Sequence, residues 1–390
     1  MKILHTVEFY EPFKGGAQEV VRQLSERMVA MGHDVTVATT KLKERKSLNI
    51  NGVKIKEFDV SGNEVRGYEG NTKAFKEFVL NNKFDIVMNY AAQQWATDLF
   101  FEVMNEVKAK KVFVPCGFSG LYDPAYKQYF KKMPDLLKKY DATIYLAEKY
   151  RDIDFAKKHK VKNTVIIPNG AGADEFDSSI NETVREKYGI NNESFLITTI
   201  GSHTGVKGHV EAIKIFKKAR IKNSTLLIIG NLLEEGCGPE CSRKGHKFNR
   251  SLISKINKQK IIVKDINRKD TVDFLKSSDL FLFPSNIEAS PIVLFEACAS
   301  KTPFLVTDVG NSKEIIKWTG GGKLLPTFKD ENGQSHAKIA ESTDLLIKFY
   351  NNKKLRQDMA AAGYKAWKSK YSWEKITAKY LNLYKRLLKK

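Results

Sequence analysis

No stretch of this chain reaches the roughly 18 consecutive apolar residues of a membrane-spanning helix. The N-terminal MKILHTVEFY is too short and too polar for a secretory hydrophobic region. Cysteine is scarce as well: four in 390 residues make no disulfide framework, which fits a reducing cytoplasm. Acidic residues fall short of basic ones, 45 against 66, leaving a formal charge of +21. Such an excess attracts anionic surfaces. Nucleic acid, an anionic bilayer and a phosphorylated substrate all qualify, and so does a lysine-rich composition with no particular partner. Core material is not lacking. An apolar fraction of 42% excludes global disorder, and 390 residues at about 150 per domain give two or three domains.

The most informative stretch is Pro284–Glu296, PSNIEASPIVLFE. Leu280–Phe283 before it has the length and aromatic content of a buried strand. Pro284 and Ser285 stop that strand, and Pro291 stands where a helix begins, since a first-turn proline has no orphan N–H to lose. Ile292, Val293, Leu294 and Phe295 carry the chain into the helix. A helix start there, around Ser290–Leu294, offers unpaired N–H groups and the positive end of a dipole, which suits a phosphate. Glu288 at the mouth and Glu296 eight residues later can both accept hydrogen bonds from sugar hydroxyls. An ordinary strand–loop–helix with two solvated glutamates is the plainer alternative.

From the N-terminus, Lys2–Val7 reads as a strand and Pro12–Gly16 as a glycine loop. A helix to Met31 follows, with Val21, Leu24 and Met28 at helical spacing and Gly32 as its stop, and then a strand at Val35–Thr39. That βαβ unit implies a parallel sheet. Asp85–Tyr90 and Lys111–Pro115 read as buried strands, and Cys116–Tyr122 follows the second, at a strand C-terminus where open α/β sheets place ligands. Cys116 reads as a packed thiol rather than a nucleophile. The helix Tyr126–Lys139 turns Tyr126, Phe130, Met133 and Leu137 inward, with Lys127, Lys131, Lys132, Lys138 and Lys139 outward, a face suited to a membrane surface or simply to solvent. Strand Ala142–Ala147, helix Glu148–His159 and strand Thr164–Ile167 lead to the turn Pro168-Asn169-Gly170 and a polar linker, Asp174–Arg185.

The pattern then restarts. Phe195–Ile200 is a strand, the loop Gly201–His209 enters a helix at Val210–Ala219, and Lys207 at its mouth can act as a point charge on a diphosphate. Thr225–Gly230, Ile261–Val263 and Pro303–Thr307 complete a second parallel sheet. Asn231–Arg250 reads as a basic surface loop. Cys237, Cys241 and His246 within it have something of a metal-site look, but they make only three ligands at wide cysteine spacing. The helix Trp373–Leu388 carries an apolar stripe of Ile376, Tyr380, Leu383, Tyr384 and Leu387.

Glu288-x7-Glu296, flanked by Pro284-Ser285, by Ala297-Cys298-Ala299 and by Pro303, resembles the donor-site signature of retaining GT-B glycosyltransferases of the group 1, family 4-like kind. The Gly-Gly loop, the Pro-Asn-Gly crossing, the Lys-Gly loop and the terminal helix stand in that family's order. The resemblance implies an α/β GT-B fold with two Rossmann-like βαβ domains facing a central cleft. Residues 1–170 would bind the acceptor, residues 171–370 the nucleotide-sugar donor, and residues 371–390 would form a helix returning to the first domain. It implies that Glu288 faces the transferred sugar and that Glu296 holds the ribose. The diphosphate would lie on Lys207 and on the backbone of Ser290, Pro291, Ile292, Val293 and Leu294, with Gly201, Ser202 and His203 in the same loop as Lys207. Gly16 would approach the donor phosphate or the acceptor, and Gly15, Gln18, Cys116 and Tyr122 would line the acceptor side. The chain departs from the family pattern at several points. Ala289 and Lys301 replace glycines, no histidine stands near Cys116, and Ser202 replaces an arginine whose charge His203 or Lys301 would have to supply.

The expected activity is transfer of a sugar to an acceptor hydroxyl with retention, by front-face attack in which the leaving phosphate helps take the acceptor proton. No general base, no cofactor beyond the nucleotide sugar and no obligatory divalent metal are expected. The acceptor would be a lipid-linked or surface-polysaccharide precursor at the inner face of a membrane, touched peripherally. Two other classes stay open. A GT-B-like nucleotide-sugar epimerase would use the same phosphate loops. A nucleic-acid-binding or nucleic-acid-modifying protein would use the charge, although the chain has no helix-turn-helix, zinc-finger or aromatic-sheet motif.

Overall fold

The computed structural model describes residues 1–13, 15–181, 183–232 and 236–389. Lys14 of the glycine loop, Glu182 of the polar linker, residues 233–235 and Lys390 lie outside the described residues. The chain folds as two units, Met1–Asn169 together with Trp373–Lys390, and Gly170–Ser372.

The first unit is built on β1 (Lys2–Thr6), β2 (Asp34–Thr40), β3 (Asn49–Ile50), β4 (Val53–Phe58), β7 (Ile86–Tyr90), β8 (Lys110–Val114), β9 (Ala142–Tyr145) and β10 (Thr164–Ile166), with a side hairpin of β5 (Val60–Asn63) and β6 (Gly67–Gly70). The sheet order is β10-β9-β8-β7-β1-β2-β4-β3. Every pairing is parallel except that of β3 with β4. β7 and β9 are buried along their whole length. That is why they read as mostly apolar runs, broken only by the buried Asn89 and Thr143, rather than as alternating ones. The Gly16–Ala30 helix buries Val20, Val21, Leu24 and Met28. The Trp373–Leu388 helix lies against it and buries the expected stripe. Tyr384 of that helix reaches the sheet itself, its hydroxyl 3.2 Å from Met88 Sδ and 3.5 Å from His5 Nε2.

The second unit is a six-stranded, all-parallel sheet of β11 (Phe195–Ile200), β12 (Ser224–Ile229), β13 (Gln259–Lys264), β14 (Leu280–Phe283), β15 (Phe304–Val306) and β16 (Gly322–Leu324), in the order β13-β12-β11-β14-β15-β16. In each unit the chain lays strands to one side of the first strand and then returns to lay the rest on the other. The reversal falls between β1 and β7 in the first unit and between β11 and β14 in the second. Open α/β sheets bind ligands at such switch points, outside the strand C-termini.

Several expectations need correction. The helix anticipated at Glu148–His159 starts at Arg151, because Tyr150 is extended (φ −164°, ψ 169°) and serves as its N-cap. Asp174–Arg185 is not simply a linker. Phe176 and Val184 are buried in the second unit, and the Arg185 guanidinium donates to the carbonyls of Asn192, Ser194 and Ser277. Within the supposed basic loop lies a helix, Gly238–Asn249, with proline in its first turn and Cys241, Gly245 and Phe248 buried. Gly245 lets it press on β13, since a Cβ there would stand 3.2 Å from Ile261 Cγ2.

Candidate functional site

In the second unit two loops meet at the switch point. β11 and β14 are neighbours in register, Ile197 opposite Leu280, so the loops that leave their C-termini run side by side. Asn286 N–H donates to the Val206 carbonyl at 2.9 Å and Ser285 Oγ to the same carbonyl at 3.2 Å. Gly208 permits the closest approach. Its φ is +68°, and a Cβ would fall 1.8 Å from the Pro284 carbonyl oxygen, where no side chain fits. The outcome is that Lys207 Nζ sits 2.7 Å from Glu288 Oε1, which also accepts from Ser285 Oγ at 2.9 Å. Two residues 81 apart in sequence thus form a charge-assisted contact at the mouth of the site.

The Ile292–Ala299 helix begins just beyond. Pro291 is its N-cap (φ −70°, ψ 113°) rather than its first helical residue, and Ile292, Val293 and Leu294 form the first turn. The preceding loop is braced from behind. Asn311 N–H donates to the Ala289 carbonyl at 3.0 Å, and a Cβ on Gly310 would lie 2.5 Å from that oxygen. Ala289 is not among the positive-φ residues, so it occupies this position without strain, whereas Lys301 takes φ +56° just past the helix end, a conformation that suits glycine. The Lys301 ammonium lies 4.6 Å from the Tyr364 ring centroid, at the end of the helix away from Lys207. His203 is fully buried, its Nδ1 3.4 Å from Cys237 Sγ. Neither residue therefore brings a charge to the loop mouth in place of the family arginine. Gly201 and Ser202 are half-buried at the start of the same loop, with Lys207 Cγ 3.2 Å from where a Gly201 Cβ would stand.

Glu296 belongs to a different network from Glu288. It is 4% exposed and accepts from Arg268 Nη2 at 2.6 Å, while Arg268 also makes two 2.8 Å bonds to Glu175 and lies 5.6 Å from the Phe176 ring centroid. The sequence reading missed Arg268. Its signal was only the helix start that places it: Asn267 Oδ1 caps Asp270 N–H at 2.9 Å, leaving Arg268 in the first turn of Arg268–Ser277.

In the first unit, Gly15 caps the Gly16–Ala30 helix in extended conformation. Gln18 folds back over Gly15, its Oε1 2.4 Å from where a Cβ would be, and Gly16 faces open space. At the C-termini of β7 and β8 the backbone is unusual. Ala91 and Gln93 take φ +69° and +62°, and Cys116, Gly117 and Phe118 follow one another at +59°, +97° and +50°. Left-handed non-glycine residues gather at functional sites. Asp152 holds the second turn, accepting from Gly117 N–H at 2.8 Å and Ile153 N–H at 2.9 Å, and burial pushes its carboxyl up to about 6. The chain's Asp152-Ile153-Asp154 stretch spends its first carboxylate on these backbone bonds. Burial pushes the Cys116 thiol up to about 12, which disfavours the nucleophilic thiolate. Tyr122 is 75% exposed with the Arg151 guanidinium 5.4 Å from its ring centroid.

The Lys127–Lys139 helix buries Tyr129, Phe130, Met133 and Leu137 in the core and leaves its lysines outside. Its aromatic face is thus taken up within the unit. Lys132 pairs with Glu64, and Lys138 lies 3.4 Å from Asp135. Among the described residues no helix is long and apolar enough to cross a membrane.

Two family models match the chain: "Glycosyl transferases group 1" over residues 180–366 and "Glycosyltransferase Family 4" over residues 14–175. The chain is similar to the lipopolysaccharide glucosyltransferase WaaG of Escherichia coli K12, 26% identical over 83% of this chain and 84% of the other. It is 27% identical to the capsular polysaccharide biosynthesis glycosyltransferase CapM of Staphylococcus aureus (58% of this chain, 57% of CapM). It is also 27% identical to the glycosyltransferase MJ1059 of Methanocaldococcus jannaschii (62% of this chain, 53% of the other). The matches thus span little more than half the length of the last two relatives. Among solved structures, sucrose-phosphate synthase of Thermosynechococcus elongatus superposes with a TM-score of 0.77 at 15% identity over 99% of both chains. HepE of Anabaena, in complex with UDP, gives 0.75 at 14% identity over 98% of this chain and 99% of HepE. At such identities the likeness is one of fold.

Proposed function

Because the chain belongs to the group 1 glycosyltransferases and has their two-unit GT-B fold, we propose that it transfers a sugar from a nucleotide-diphosphate sugar to an acceptor hydroxyl with retention of anomeric configuration. The observation that carries this reading is the Lys207–Glu288 contact at the mouth of the Ile292–Ala299 helix. A diphosphate at the helix start takes Lys207 for itself, and the N–H groups of the first turn add the positive end of the helix dipole. With the donor bound, both would face the position where the leaving group gathers charge, so little reorganisation is needed as the sugar departs. Glu288, relieved of Lys207, turns to a hydroxyl of the transferred sugar. Glu296, oriented by Arg268, is the acceptor for the ribose hydroxyls. The departing phosphate helps take the acceptor proton, and no protein base or divalent metal is assigned to the step. Cell-surface polysaccharide or glycolipid is the acceptor class, by likeness to CapM and WaaG.

The test is a thermal-shift panel of UDP, GDP, ADP and their sugars, since a ligand that binds the folded chain raises its melting temperature. Transfer with the stabilising donor follows, the product's anomeric configuration being read by NMR. Inverted product would refute the retaining mechanism. Isomerised donor without transfer would replace the transferase with an epimerase.

A further inference from the structure

The second unit gathers four soft ligand groups at one buried point. His203 and His209 come from the loop after β11 and the helix it enters, Cys237 caps the Gly238–Asn249 helix, and Cys241 lies in that helix's first turn. All four are buried, at 0, 1, 8 and 0% exposure respectively. Their ligand atoms lie within 4.8 Å of one another. His203 Nδ1 is 3.1 Å from His209 Nδ1 and 3.4 Å from Cys237 Sγ, and Cys237 Sγ is 3.6 Å from His209 Nδ1. A tetrahedral zinc ion, with bonds of about 2.05 Å to nitrogen and about 2.3 Å to sulfur, has ligand edges of about 3.3 Å between nitrogens and about 3.5 Å between nitrogen and sulfur. The three edges among His203, His209 and Cys237 are close to those of such a site, and Cys241 Sγ lies within 4.8 Å of all three. We propose that His203, His209, Cys237 and Cys241 bind a structural zinc ion.

Two further observations support this assignment. The cluster sits in an otherwise apolar core with Ile213, Phe216, Leu226 and Ile228, where converging polar groups cost free energy unless something satisfies them. Nε2 of each histidine is buried with no hydrogen-bond partner, so the polar contacts of both rings are on the Nδ1 side, where the sulfurs are. The backbone is also shaped to close the site. Cys237 N–H donates to the His203 carbonyl at 2.9 Å. Gly236 takes φ +103° with its Cβ position 1.8 Å from that carbonyl oxygen. Gly230 leaves its Cβ position 3.2 Å from His203 Cδ2.

Two sulfurs and two imidazoles converging on one buried point select zinc over the hard, oxygen-seeking cations. With four protein ligands and no exposed face, the ion has no open position for catalysis. Its role is to fasten the 201–208 loop to the start of the Gly238–Asn249 helix, with both thiols giving their protons to solvent on binding. His246, exposed on the same helix, is not a ligand. The missing ligands came from about 30 residues upstream, beyond any local spacing rule.

The purified chain decides the matter without an activity assay, so this site and the sugar-transfer reading fail independently. Elemental analysis is expected to find about one zinc per chain. Replacement by cobalt should give the visible bands of a tetrahedral ion together with sulfur-to-cobalt charge transfer. Chelator should lower the melting temperature, and added zinc should restore it. Cys241→Ser and His209→Ala should each abolish the charge-transfer spectrum or shift its bands. Where a variant fails to fold, thiol titration of the parent decides: Cys237 and Cys241 should react only after chelation. A metal-free chain whose thiols react equally with and without zinc, or a Cys237–Cys241 disulfide, would overturn the proposal.

Discussion

Replacing Gly208 by alanine tests how the two phosphate-side loops are joined. The residue takes φ +68°, which alone costs an alanine about 1–2 kcal/mol. Its Cβ would also fall 1.8 Å from the Pro284 carbonyl, a contact only backbone movement can relieve. Parting the loops gives up the bonds of Asn286 N–H and Ser285 Oγ to the Val206 carbonyl, each worth about 1 kcal/mol. The expected loss in a denaturant titration is therefore about 3–4 kcal/mol. Gly205 supplies the control. It lies in the same loop at φ +87° with nothing within 4 Å of its Cβ position, so Gly205→Ala should lose only the conformational part, about 1–2 kcal/mol. Gly208→Ala should also separate Lys207 from Glu288 and depress nucleotide-sugar binding, which Gly205→Ala should leave near normal. Equal losses in the two variants would refute the packing argument.

Glu296→Ala should weaken nucleotide binding by about 1.5–3 kcal/mol, the contribution of hydrogen bonds to a charged acceptor, whereas Glu288→Ala should lower turnover more than affinity; nucleotide titration and steady-state kinetics on both variants decide. His5 gives a pH prediction: burial pushes its imidazole down to about 3, so below its unfolded value near 6.5 the unfolded chain takes up a proton that the folded chain does not. Stability should then fall by about 1.4 kcal/mol per pH unit between roughly pH 6.5 and pH 3. A His5→Asn variant should lack that slope. Asp98, pushed up to about 7 chiefly by burial, acts in the opposite sense over the upper part of the range, so the parent–variant difference is the quantity to compare. We propose the exposed Lys127, Lys131 and Lys139 as a peripheral contact with an anionic leaflet, where each would contribute about 1 kcal/mol; changing all three to Glu should abolish sedimentation with anionic vesicles, and a parent indifferent to vesicle charge would exclude this face as a membrane contact.

Where sequence and structure agree, the reason is local. β11 and β14 fall at Phe195–Ile200 and Leu280–Phe283, as their apolar runs between breakers require. The Trp373–Leu388 helix shows its buried stripe at helical spacing. The Gly238–Asn249 helix escaped notice because its polar composition hides Cys241, Gly245 and Phe248 at helical spacing. The site's partnerships were less legible. Glu288 and Glu296 stand out in the sequence, but Lys207 lies 81 residues from Glu288, and Arg268 lies 28 from Glu296 and 93 from Glu175. His203 looked like a free cation beside a phosphate because only the fold reveals that its ring turns inward to Cys237. Side-chain pairs of this kind depend on strand order, which no local pattern encodes.

The interrupted first unit has a consequence for synthesis on the ribosome. Its sheet is complete once Thr164–Ile166 has emerged, but its last helix, Trp373–Leu388, arrives only after the whole second unit has been made. At roughly 5–20 residues per second, that wait lasts on the order of 10–45 s. Throughout it His5 and Met88 lack the Tyr384 that reaches them, and Arg27 lacks Glu374. The second unit is continuous and can fold during the same interval. The half that folds last is thus the half translated first, and a nascent chain spends that time with an uncovered sheet face open to chaperones and to other nascent chains. A premature stop before Trp373 would keep Lys207, Glu288, Arg268 and Glu296 intact and still produce an aggregating protein.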